Sequence, residues 1–358
     1  MVINMDKKYF PYIDAIRIIS MFGIIILHRA SYGLRVYYYS KTWWVLNIIT
    51  ALCTCAVPLF FMISGALLLS GNKTDDIGYM LKKRLPHLVI PLLFWSLACI
   101  VRDFYYIHKN LHIFNAEELW NTVVSIIVGP AAVHLWFMYA LIPIYLIAPF
   151  IRRIISDEKL VKYLICLWII GCTVKTAYIA VPEAFKIYFN FDLFNKLRYI
   201  DGFLGYFVLG WYLHQRDIRV KNITLLTVIL FLTLIISAGT CYATYKNDVY
   251  SEIFKSYTSI WVVILSAGLF ITAKNIKDIP QALKKPMAYL SSISMGIYMS
   301  GNFFLGIMRQ EGMTFDTAKG FVLCTLYTVL LCVVFNGIFR QLKPICYIAT
   351  GNRYKGRK

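Results

Sequence analysis

Along this chain the apolar residues do not alternate with polar ones at the two-residue step of a strand. They run on for about twenty positions at a time and are then cut by short charged connections. A helix rising about 1.5 Å per residue needs a run of that length to cross the hydrocarbon of a bilayer. The pattern predicts about ten spanning helices, roughly 12–33, 44–70, 85–107, 131–151, 160–181, 200–214, 221–245, 254–273, 286–308 and 318–340. A further apolar piece, 119–128, is too short to span and is expected to be interfacial or re-entrant. The expected fold is all-α: a polytopic helical membrane bundle forming one domain over 1–345, with a basic, disordered cytoplasmic tail over 346–358.

Composition agrees, with 59% hydrophobic and only 15% charged residues, where a soluble domain sits nearer half and a quarter. The net charge of +19 invites a nucleic-acid reading, but the positions of the charges argue against one. Connections on the side of the N-terminus hold 23 Lys and Arg, against 12 on the other side, with Arg17 and Lys175 inside spans. That bias predicts both termini in the cytoplasm. The basic excess then reports topology and contact with anionic membrane lipids, and no nucleic-acid partner is expected. The nine cysteines are scattered, Cys53 and Cys55 being the close pair, so they read as small apolar filler rather than a metal cluster or disulfide framework. The first span lacks a small-residue cleavage site and carries charges that would spoil a signal peptide, so it is expected to be retained. A homo-oligomer is compatible with the sequence.

Chemistry concentrates in the first span, which is apolar yet holds Asp14, Arg17 and His28. Ionisable groups at membrane depth are costly and usually functional. Eleven steps separate Arg17 from His28, about 1100° of rotation and so about 20° from whole turns, with an axial rise of about 16 Å. Asp14 neighbours Arg17 at three residues, so all three are expected on one stripe of the helix. A neutral imidazole can take a proton from a hydroxyl near physiological pH, which makes His28 a candidate general base.

Other stretches carry two readings each. Pro58 and Ser64-Gly65 in the second span can break the helix to line a site, or can serve close helix packing. Lys82-Lys83-Arg84, ahead of Pro86-His87, is a topology signal or an anion clamp. His134 beside Trp136 and Tyr139 is an interfacial pair or a site element, and Lys175 is expected to snorkel. The 182–201 connection leads into a short glycine-rich span, Gly202–Gly210, whose glycines allow close helix approach, and spans seven and eight read as scaffold. From residues alone, a transporter whose buried charges line a substrate path and an enzyme working across the bundle both remain open.

In order along the chain stand Ile13-Asp14-Ala15-Ile16-Arg17 with His28 after ten intervening residues, and then Val57-Pro58-Leu59-Phe60-Phe61-Met62-Ile63-Ser64-Gly65. Lys83-Arg84-Leu85-Pro86 with Pro91 follows, and His134-Leu135-Trp136-Phe137 with Tyr145 and Pro149. The series closes with Gly205-Tyr206-Phe207-Val208-Leu209-Gly210 and Ser294-Met295-Gly296-Ile297-Tyr298. Over roughly 10–340 this series resembles the membrane acyltransferase-3 family, integral membrane enzymes that O-acylate exported glycans and other envelope molecules. The resemblance implies that an acyl-coenzyme A donor binds from the cytoplasm. Arg17, Lys83, Arg84 and His87 would engage it, and His28, with Asp14 and Arg17, would form the catalytic set. Ser64, His134, Trp136, Tyr139 and Tyr298 would line the acceptor side. Two departures stand out. His87 occupies a place where the family often has a second arginine, and no histidine follows Tyr298 in the ninth span. The activity implied is transfer of an acetyl group from acetyl-CoA, used as a substrate and without a metal, to a cell-surface polysaccharide, a glycan or a lipid-linked glycan precursor. The implied location is a bacterial inner membrane; a transporter of a related solute or of the acyl group is the alternative.

Overall fold

The computed structural model describes residues 10–111, 117, 120–121, 124, 126, 129–181, 185, 200–276, 279–313, 315 and 317–352, apart from the side chains of 108, 110, 111, 180 and 344. Most of the 119–128 piece, the greater part of the 182–201 connection and the last six residues lie outside that set. Among the described residues every element is helical.

The chain begins with α1 (Pro11–Val36), where Pro11 stands in the first turn and costs no hydrogen bond. The second apolar run is two helices, α2 (Lys41–Cys53) and α3 (Ala56–Leu68), parted at Thr54-Cys55. Pro58 explains the break: it has no N–H, and its ring crowds the carbonyl four residues back, that of Thr54. Ser64-Gly65, the other suspected breaker, stays helical and lets α3 meet a later helix. A Cβ on Gly65 would lie 1.7 Å from the Phe207 carbonyl oxygen, and one on Gly210 would lie 2.1 Å from that of Met62.

A π-helical turn, Met80–Arg84, feeds α4 (Pro86–Leu111), with Leu85 N donating to Met80 O at 2.9 Å. Pro86 cannot donate into the preceding turn, so the backbone widens there, as π-turns at functional sites often do. Then come α5 (Trp136–Ile154), α6 (Glu158–Ala180), α7 (Leu204–Gln215), α8 (Asn222–Asn247), α9 (Ile260–Lys274), α10 (Gln281–Gln310), α11 (Ala318–Phe339) and α12 (Lys343–Thr350). Side-chain caps at Ser40, Asp157 and Thr317 satisfy the first amides of α2, α6 and α11.

A helix stands at each of the ten expected places, and among the described residues six stretches are long and apolar enough to cross a membrane by themselves. These are Lys41–Leu68, Ile77–Ile107, Val133–Ile154, Glu158–Ile179, Asn222–Asn247 and Ala318–Phe339. α7 and α9 are shorter, while α1 and α10 carry the charged and hydroxyl side chains described below. Helix α1 lies at the centre, packed on α2, α3, α9, α10 and α11.

The expected start of the disordered tail falls inside α12, which is a docked helix. Its Cys346, Ala349 and Thr350 are buried. Trp95 Nε1 on α4 donates to Ala349 O at 2.8 Å, and Asn352 Nδ2 donates to Ser292 O at 2.6 Å. Gly351 ends the helix at φ +68°, the left-handed conformation glycine adopts without strain.

Candidate active site

Two cavities lie along α1. One, of about 370 Å³, receives Arg17; the other, of about 680 Å³, receives His28. The helical phase that set these residues on one stripe therefore brings both to internal voids rather than to lipid. Phe137 and Tyr298 line both cavities, so the two share a wall.

The Arg17 cavity collects Ser64 from α3, Arg84 from the π-turn, His87 from α4, Tyr145 from α5, Ser291 from α10 and Asn352 beyond α12. Arg17 Nη1 donates to Ser291 Oγ at 3.4 Å. The Arg84 guanidinium lies over the Tyr79 ring at 5.4 Å. His87 Nδ1 donates to Gly351 O at 2.6 Å, so the C-terminal segment orients this side chain. No Asp or Glu is among the lining residues. Two guanidiniums without a lining carboxylate, above apolar walls from Phe60, Ile63 and Leu67, suit an anion-bearing ligand with an apolar arm.

The His28 cavity is lined by Ser31, Tyr32 and Arg35 of α1, Thr50 and Thr54, His134, Trp136, Tyr257, Asn302, Lys255 and Arg309. The His28 and His134 rings meet edge to face at 6.1 Å. They differ in their bonding. His134 Nε2 donates to Met299 O at 3.0 Å, and its Nδ1 accepts from Asn302 Nδ2 at 3.1 Å, which fixes one neutral tautomer. Tyr298 donates its hydroxyl proton to the His134 carbonyl oxygen. The ring of His28 makes no hydrogen bond among the described residues. The free imidazole can take a proton from an incoming hydroxyl, while its pinned neighbour holds the cavity wall in shape. Trp136 stacks on Tyr257 at 5.5 Å and 26° and offers an aromatic face to the same void, the type of surface on which the apolar face of a ring rests.

Behind this wall sits Lys255, in a turn (Ile253–Lys255) of the connection before α9. Its Nζ donates to Asn47 Oδ1 and Thr50 Oγ1, each at 2.8 Å, and to Tyr250 Oη at 3.2 Å. Burial pushes the ammonium down to about 7.

Of the residues singled out in the sequence, Arg17, Arg84, His87 and Ser64 line the first cavity, His28, His134 and Trp136 the second, and Tyr298 both. Asp14 is buried in α1 but lines neither. Lys83 is exposed and also lines neither. Tyr139 donates to Ile126 O at 2.6 Å, away from both voids. Lys175, expected to snorkel, instead pairs with Asp201 and donates to Thr258 Oγ1 at 2.6 Å. Asn302, Lys255 and Asn352 carried no signal in the sequence as site residues, since each acts through partners far along the chain.

Neither the curated proteins nor the solved structures compared contain a match to this chain. A family model described as an acyltransferase domain matches residues 10–337, nearly the whole bundle and both cavities except the segment beyond α11. The chain is a multi-pass membrane protein and an acyltransferase of the acyltransferase-3 family.

Proposed function

We propose that this protein is an O-acyltransferase that moves an acetyl group from acetyl-CoA to a hydroxyl of a cell-surface polysaccharide or its precursor, in a bacterial inner membrane. The single observation that carries this reading is the shared wall between a cationic cavity and a cavity holding an unbonded imidazole. The donor enters the Arg17 cavity from the cytoplasm, its phosphates held by Arg17, Arg84 and His87. The glycan enters the His28 cavity from the opposite side, with a sugar ring against Trp136. His28 takes the hydroxyl proton as the oxygen attacks the thioester carbonyl. The carbon–sulfur bond breaks, the new ester carries the acetyl group, and the coenzyme A thiolate leaves and takes up a proton. No nucleophilic Ser or Cys is needed, which fits direct transfer.

The test is His28→Ala in cells and as purified protein. Acetyl-CoA binding, expression and topology are expected to stay, and O-acetylation of the surface glycan, read by mass spectrometry, to disappear. Full acetylation by His28→Ala overturns the assignment. Solute flux in proteoliposomes without covalent product selects the transporter alternative instead.

A further inference from the structure

Charge around the His28 cavity is out of balance. Arg35, Lys255 and Arg309 line it, and among the described residues Glu252 is the one carboxylate that does. The cations come from the end of α1, the turn before α9 and the end of α10, segments far apart in the chain that meet at one void. Arg35 Nη2 reaches Glu252 Oε1 at 3.5 Å, but both side chains are largely exposed, and such a pair is weak in water. Lys255 is buried, and its bonds go to Asn47, Thr50 and Tyr250, none of which carries a charge. The Arg309 side chain is exposed and makes no hydrogen bond or ion pair among the described residues, so its guanidinium fork is open to a ligand.

Arg35 and Arg309 each sit in the last turn of a helix, where a cation also suits the helix dipole. That accounts for a basic residue at either helix end. It does not account for a third, buried cation at the same void, on the side where the charge bias makes basic residues sparse. A buried ammonium held by neutral acceptors alone is costly, and an anion beside it offsets that cost. Resting on the function proposed above, we infer that the acceptor is anionic: it brings a sugar carboxylate, or the diphosphate of a lipid-linked precursor, into the His28 cavity along with the hydroxyl that is acylated. Arg309 and Arg35 meet the anion at the exposed edge, the sugar ring lies on Trp136, and Lys255 adds its charge from the buried side. The anion has a second effect. Three cations oppose the imidazolium that His28 becomes when it takes the hydroxyl proton, and a bound anion relieves that opposition. A neutral acceptor gains neither the contacts nor the relief.

The test uses the purified full-length protein in proteoliposomes with acetyl-CoA and two pairs of acceptors. One pair is surface glycan extracted from cells lacking the protein and the same glycan with its carboxylates reduced to alcohols. The other is a neutral sugar on a polyprenyl diphosphate and the same sugar released from it. Coenzyme A thiol release and the mass added to the acceptor are read. In at least one pair the charged member is expected to lead in kcat/KM by about tenfold or more, the worth of a charge-assisted hydrogen bond, and the pair that shows it names the anion. Added salt is expected to narrow the lead, since the contacts at the exposed edge are screened. Arg309→Gln, at an exposed position where folding is not at stake, is expected to narrow it by about tenfold, and Arg309→Lys by less, because a lysine keeps the charge without the fork. Equal use of charged and neutral members in both pairs by wild type, or a lead that survives Arg309→Gln combined with Arg35→Gln, overturns the inference while leaving the acyltransferase reading in place. Absence of transfer to every acceptor overturns the functional reading itself, and with it this one.

Discussion

Replacing Asn302 removes the donor that fixes His134 and leaves most of its surroundings in place. In Asn302→Leu the backbone carbonyl of residue 302 still accepts from Arg102 Nη1, at 3.2 Å in the wild type, and leucine suits the helix interior. What is lost is the 3.1 Å bond from Nδ2 to His134 Nδ1, an acceptor on a side chain only 1% exposed. A buried acceptor stripped of its donor costs about 1–3 kcal/mol. The bond from Nε2 to Met299 O holds the other end of the ring, so the lower half of that range applies, near 1.4 kcal/mol and a tenfold effect. Asn302→Asp is the sharper companion. It keeps the size of asparagine, but an ionised carboxylate has no proton to give Nδ1. Both variants are expected to lower kcat about tenfold with the donor KM unchanged, because Asn302 lines the His28 cavity and not the Arg17 cavity. The assay is thiol release from acetyl-CoA alongside acetyl content of the glycan. Wild-type kcat in both variants, or a raised donor KM at constant kcat, refutes the positioning role of His134.

Gly351→Ala forces a Cβ into the left-handed conformation and to 2.6 Å from the His87 carbonyl oxygen, so α12 is expected to loosen and the acetyl-CoA KM to rise about tenfold, read by initial rates, with near-normal kcat; an unchanged KM separates α12 from the donor site. Lys255 is depressed to about 7 from 10.5, so between those values the unfolded chain holds the proton and the folded one does not, and folding stability from this group rises with pH by at most about 1.4 kcal/mol per unit. Melting curves in detergent from pH 7 to 9.5 are expected to show that rise in wild type relative to Lys255→Met, and parallel curves contradict it.

Much of the site was legible because α1 writes its geometry in its spacing. Arg17 and His28 differ by about 20° of helix phase and face adjoining cavities, whereas Asp14, about 60° from Arg17, falls to one side of both. Spacing does not separate Lys83 from Arg84 in the same way, and Arg84 is the one that lines the cavity. The helical runs were legible too, but the hydropathy of α1 and α10 is weakened by the residues that face the cavities, which is why they fall short as spans by composition. Long-range pairs left no periodic trace. His134 and Asn302 are 168 residues apart, and Lys255 finds Asn47 and Thr50 more than 200 residues back. Helix α12 was hidden by the basic residues around it, since among its described side chains the buried face is Cys346, Ala349 and Thr350.

The account stands on a donor and an acceptor that meet from opposite sides of one bundle. The most direct measurement seals acetyl-CoA carrying a radiolabelled acetyl group on the cytoplasmic side of oriented proteoliposomes, with surface glycan only on the other side. Labelled glycan outside, absent with His28→Ala while that variant still binds donor, is the result expected. Label transferred only when donor and glycan share one compartment, or transferred equally by His28→Ala, contradicts it.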